Sequence, residues 1–140
     1  MSKPLYIVWQ DDFDQGEGII DEQHRGVIAT INSLNHFLQQ GHGLEVLMPT
    51  VKICLSYMNF HASTEETILK AADYPEIEEF IEANKQVVVD FKAVCREAML
   101  NKEPVLVLQF LKRWWQAHLE QHQKTNEFLI AGSDHCNLSV

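Results

Sequence analysis

The chain has 140 residues, 46% of them hydrophobic, and 20 acidic against 11 basic side chains give it a net charge of −9. That length suits one domain around one core, and the acidic balance argues against nucleic acid or an anionic membrane surface as a partner. No apolar run approaches the ~20 residues that span a bilayer. The N-terminal stretch "MSKPLYIVWQDDF" lacks the apolar region and cleavage site of a secretory signal, so a cytoplasmic protein is expected. Cys54, Cys95 and Cys136 are far apart and odd in number, which excludes a disulfide framework and a CxxC clip.

Residues 4–18 join a short apolar run, "PLYIVW", to a polar loop, "DDFDQGEG", and read as an extended arm and turn. Beyond them apolar residues recur at steps of three and four, the period of a helix with one buried face. The first helix is expected from about Ile20 to Gln39, with Ile20, His24, Val27, Ile31, Leu34 and Leu38 inward, and "GHG" at 41–43 stops it. The second runs from about Leu44 to Ala72, with Leu47, Val51, Cys54, Met58, His61, Glu65, Ile68 and Ala72 inward and Pro49 in its first turn. "DYP" at 73–75 ends it. The third runs from about Glu76 to Leu100, with Phe80, Asn84, Val87, Phe91, Val94 and Ala98 inward. Pro104 opens the fourth, about Val105 to Leu129, whose inward face is Val107, Leu111, Trp114, His118, His122, Thr125 and Leu129. Residues 131–140 read as a flexible tail. Four such helices with short connections predict an all-α, antiparallel up-down-up-down four-helix bundle over residues 1–130, with an N-terminal extended arm.

Several inward positions are polar. A carboxylate or imidazole on a core stripe needs a partner, because burying it alone costs several kcal/mol. Taken singly, a core histidine is usually just hydrogen-bonded, and HxxxE spacing also occurs on exposed helix faces. Height along the bundle changes that reading. In an antiparallel bundle the starts of the first and third helices are level with the ends of the second and fourth. At ~1.5 Å per residue, His24, His61, Glu65, His118 and His122 then converge within about one or two turns of height. Four imidazoles and a carboxylate in a bundle core suit a transition metal. His24, His61 and Glu65 alone make a two-histidine, one-carboxylate set for a non-haem iron. His118 and His122 add nitrogen donors for that ion or a second one.

With "VWQDDF", "GIIDEQH", "FHASTEE", "AADYPEIEE" and "WWQAH" in this order, residues 5 to about 128 resemble the bacteriohemerythrins. The resemblance implies a four-helix bundle holding a carboxylate-bridged pair of irons that binds dioxygen, for carriage, storage or sensing. On it, His24, His61 and His118 match ligands of the first, second and fourth helices, and Glu65 matches a bridging carboxylate. The family's HxxxH on the third helix is replaced by Phe80 and Asn84, and its aspartate on the fourth by Gln123. His122 has no family counterpart. The losses fall mostly on one iron, and dioxygen binding in the family uses both.

Three readings follow. One is a hemerythrin-like module with a remodelled site, holding one or two non-haem irons or another transition metal. It senses dioxygen, a related small diatomic or redox state, and reports to a signalling protein partner. The second is a conventional di-iron oxygen binder in which His122 and water replace the lost ligands. The third is a metal-free or small-ligand-binding interaction module that keeps the fold only. No nucleophile–base pair, phosphate loop or cofactor fingerprint points to an enzyme.

Overall fold

The computed structural model describes residues 5–13 and 18–138, with side chains through residue 131. Four helices carry the fold: α1 (Gly18–Gln39), α2 (Leu44–Ala71), α3 (Ile77–Asn101) and α4 (Val105–Leu138). Each packs against its neighbours in a ring, α1 on α2, α2 on α3, α3 on α4 and α4 on α1, as an up-down-up-down bundle requires. The described residues contain no strand. No described helix is long and apolar enough to cross a membrane.

The main core comes from all four helices. Val27, Ile31 and Leu34 of α1, Leu47, Val51 and Cys54 of α2, Phe91 and Ala98 of α3, and Leu111 and Trp115 of α4 are buried together. A smaller cluster of Leu69, Tyr74 and Phe80 closes the end where α2 turns into α3. On α2, His61 and Glu65 lie between Met58 of the main core and Leu69 of the smaller cluster.

All three interhelical turns use the same device. A residue in the left-handed region, Gly41 (φ 85°), Asp73 (φ 56°) or Lys102 (φ 56°), reverses the chain. The next residue's N–H then bonds a carbonyl five residues back: His42 to Phe37 at 3.3 Å, Tyr74 to Leu69 at 3.0 Å, and Glu103 to Ala98 at 2.9 Å. This caps otherwise unsatisfied carbonyls at the helix ends.

Two expected boundaries differ. Pro49 is not in the first turn of its helix but the sixth residue of α2, since Gly43 in extended backbone (φ −82°, ψ 170°) already starts the helix at Leu44. The fourth helix was expected to end near Leu129, with 131–140 as a tail. Its backbone instead continues helically to Leu138, because Gly132 is the only breaker in the stretch and a single glycine costs a helix only ~1 kcal/mol. Cys136 lies beyond the described side chains.

The arm runs across the groove between α1 and α4 rather than over an end of the bundle. Asn32 holds it like a strand partner: Oδ1 accepts from the Ile7 N–H and Nδ2 donates to the Ile7 carbonyl, both at 2.9 Å. Tyr6 donates from its hydroxyl to the Leu108 carbonyl at 3.3 Å. The Arg25 guanidinium sits 4.0 Å above the Trp9 ring, a cation–π contact. Phe13, in a 3-10 turn at Asp11–Phe13, packs edge-on against Trp115. Trp115 in turn meets the His24 ring edge-on at 5.1 Å, so the arm supports one wall of the polar centre.

Candidate metal centre

His61 and Glu65 lie one turn apart on α2, and His118 and His122 lie one turn apart on α4. Both helices run in the same direction on opposite corners of the ring, so the pairs meet level by level across the core. His61 faces His118, with Nε2 atoms 2.9 Å apart, and Glu65 touches His122. His24 of α1 completes the upper level, its Nε2 2.9 Å from that of His61 and 3.0 Å from that of His118. His122 Nε2 is 3.3 Å from His61 Nε2. Glu65 Oε1 also contacts His61 and lies 3.4 Å from His118 Nε2. All five donor atoms fall within 4.8 Å of one another. The five residues are buried, none more than 6% exposed.

The structure thus brings together His24, His61, Glu65, His118 and His122, the whole set expected from sequence. The three substituted positions fare differently. Phe80 is buried in the apolar cluster with Leu69 and Tyr74. Gln123 is exposed, because His122 takes the inward position on that turn of α4. Asn84 borders the centre, lining a cavity together with His61 and His118.

A chain of hydrogen bonds fixes what His61 presents. The Thr64 hydroxyl donates to the Phe60 carbonyl at 3.1 Å, so it accepts from Gln23 Nε2 at 3.0 Å. That orients the Gln23 amide with its oxygen toward His61, and Oε1 accepts from His61 Nδ1 at 2.9 Å. The proton on neutral His61 is therefore on Nδ1, and Nε2 offers a bare lone pair to the core, an outer-shell arrangement of the kind that orients metal ligands. Gln23 was not among the expected site residues. Its signal was available: it precedes His24 and sits one turn before core residue Val27. The ring of His118 stacks on Trp114, centroids 4.9 Å apart and 23° between planes, which fixes a second ligand.

Do these atoms fit a metal? His24, His61 and His118 place three Nε2 atoms at the corners of a triangle with edges of 2.9, 3.0 and 2.9 Å. Hydrogen bonds alone fill such a triangle poorly, since His61 has no proton to contribute. Ligands at adjacent corners of an octahedron, about 2.1 Å from a first-row ion, lie about 3.0 Å apart. The triangle matches one octahedral face, and the donor set of imidazoles with one carboxylate suits iron and its neighbours.

The electrostatics agree. Burial, together with the neighbouring His118, His61 and His122, lowers the His24 pKa from 6.5 to about 2. Burial likewise lowers His118 to about 4, against the opposing pull of Glu65. Both are therefore neutral, as metal ligands must be. Burial pushes Glu65 up, but hydrogen bonds with His118 and His122 outweigh it and hold the carboxyl well below 4.5, hence ionised.

These shifts give a signed pH prediction. Below pH 6.5 the unfolded chain takes up protons at these histidines that the folded chain refuses, so stability falls as pH drops. The window for His118 runs from 6.5 down to about 4, and that for His24 continues toward about 2. The Glu65 contribution is lost only as pH falls from 4.5 toward its own lower value. Thermal midpoints between pH 7 and pH 4 should decline steadily in the metal-free chain. Bound metal should leave over the same interval, measured by a colorimetric chelator.

Comparison with known proteins agrees with this geometry. The chain is 33% identical over 82 residues to the bacteriohemerythrin of Pseudomonas aeruginosa, covering 59% of this chain and 50% of that one. It matches the bacteriohemerythrins of Pseudomonas paraeruginosa at 33% over 82 residues and Stenotrophomonas maltophilia at 33% over 81 residues, again with half of the relative covered. Over these 82 residues the chain is similar to the bacteriohemerythrins. It spans about half the length of the curated relatives it matches. No family model matches, and no solved structure matches. What distinguishes this hemerythrin-like centre is its lopsidedness. Among the described residues α3 adds no His, Cys, Asp or Glu to the cluster, and α4 supplies two histidines one turn apart.

Proposed function

We propose that this chain is a non-enzymatic, cytoplasmic metal-binding module that holds a single non-haem iron and senses dioxygen, a related diatomic or redox state. One observation carries the reading: four imidazole nitrogens and one carboxylate oxygen lie within 4.8 Å of one another in a buried core. Five donors in that space surround one ion. Two divalent ions would share a single carboxylate, Glu65, and leave most of their charge unbalanced where the effective dielectric is low. The conventional di-iron reading is weakened on that ground, and His122 serves the one ion rather than rebuilding a second site.

His24, His61, Glu65, His118 and His122 would hold the iron. When bound, it would supply one-electron redox chemistry and a coordination position for a small molecule. The chain's own residues orient His61 through Gln23 and His118 through Trp114, keep His24 and His118 neutral by burial, and exclude bulk water. The helices that carry the ligands, α1, α2 and α4, would carry a change in coordination to a signalling protein partner. The alternative, an interaction module that keeps only the fold, needs a buried lone-pair cluster with no ion to satisfy it.

Purification from iron-supplied cells followed by elemental analysis tests the reading. One iron per chain is expected, with a visible spectrum that changes when oxygen meets the reduced protein. Two irons per chain would restore the di-iron reading, and none would favour the metal-free module.

A further inference from the structure

On the side of the centre that faces α3, no described His, Cys, Asp or Glu of that helix joins the donor group. Met58, Ala62, Val87, Val88 and Trp114 line a small cavity there together with His61, His118 and Asn84. Its volume is about 20 Å³, and one water-sized group needs roughly 10–15 Å³ on this measure. The walls are largely apolar, apart from the two imidazoles, Asn84 and Asn59. Asn84 Nδ2 is buried and has no hydrogen-bond partner. A buried amide donor left unpaired is costly and uncommon. Here it borders a cavity that also borders two members of the donor cluster.

We propose that Asn84 is the hydrogen-bond donor to a small exogenous ligand of the metal, a diatomic or small anion with an acceptor atom at its outer end. The inference rests on the mononuclear reading above. The ligand enters from the α3 side, where no protein donor competes, and its outer atom takes the place of the missing partner of Asn84. The apolar walls favour a ligand of this size over one that brings its own hydration. Asn84 thus sets which ligand stays bound, while His61 and His118 set where it binds.

Nitric oxide added to the ferrous chain is a suitable probe, read by its release rate and by the N–O stretching frequency. Iron content is measured first on every variant. Asn84→Ala should keep its iron, release nitric oxide about 10-fold faster and shift the N–O stretch upward. Asn84→Asp, which replaces a donor by an acceptor in nearly the same volume, should weaken retention further. Iron retained with release and stretch unchanged in Asn84→Ala would overturn the inference alone. Iron lost from Asn84→Ala would overturn it too, by making Asn84 a ligand of the metal. A wild-type chain that takes up no iron would overturn the function reading and this inference with it.

Discussion

His61→Ala should purify with less than about a tenth of the wild-type metal. His61 is the node of the centre: its Nε2 is 2.9 Å from those of His24 and His118 and 3.3 Å from that of His122, and it touches Glu65. Truncation removes a ligand and leaves Gln23 Oε1, which accepts from His61 Nδ1, without its donor. The second effect costs the metal-free fold about 1–3 kcal/mol. The first removes the stabilisation that metal gives the native state, about 4 kcal/mol when free metal is a thousandfold above its dissociation constant. For a chain of this size that is a midpoint shift of roughly 10 °C. A chelator should therefore lower the wild-type midpoint by that order and leave His61→Ala unmoved. Full metal content in the variant would mean that the ligand set is wrong.

The centre was readable from sequence because two independent periodicities agree on it. Helical spacing puts His61 over Glu65 and His118 over His122, and the antiparallel order puts His24 level with them. Azimuth was readable only locally. A strict 3.5-residue stripe drifts by ~20° per heptad on a straight helix. By the end of α2 the inward position has moved from Ile68 and Ala72 to Leu69, with Ala72 exposed. In α3 it has moved from Val94 to Cys95, and in α4 from Trp114 to Trp115. At His122 the expected stripe holds, with His122 buried and Gln123 exposed.

The turns show a different limit. Gly41 announces its left-handed backbone, Asp73 does so weakly, and Lys102 not at all, because its conformation is imposed by the 2.9 Å bond from Glu103 to Ala98. Gln23 escaped notice for a related reason. Its inward position, one turn before Val27, is legible within α1, but its role is defined by what α2 brings opposite it, His61 and Thr64.

Glu65→Gln should separate a metal centre from a polar network that merely fills the core. The amide keeps the volume and an acceptor oxygen but removes the only negative charge in the donor group. With an ion present, that charge is its sole compensation in a site only 5% exposed at Glu65, where Coulombic interactions are weakly screened. Metal affinity should fall by more than ~100-fold, beyond the 10–100-fold typical of losing an outer-shell partner. Without an ion, glutamine can accept from one imidazole and donate to another. The chelator-treated variant should then melt within a few degrees of chelator-treated wild type. A metal-free network predicts no metal in either protein, so that Glu65→Gln changes only what His118 and His122 donate to and leaves metal content at zero throughout. Competition titration against a chelator of known affinity, run beside thermal melts of both chains, distinguishes the two outcomes.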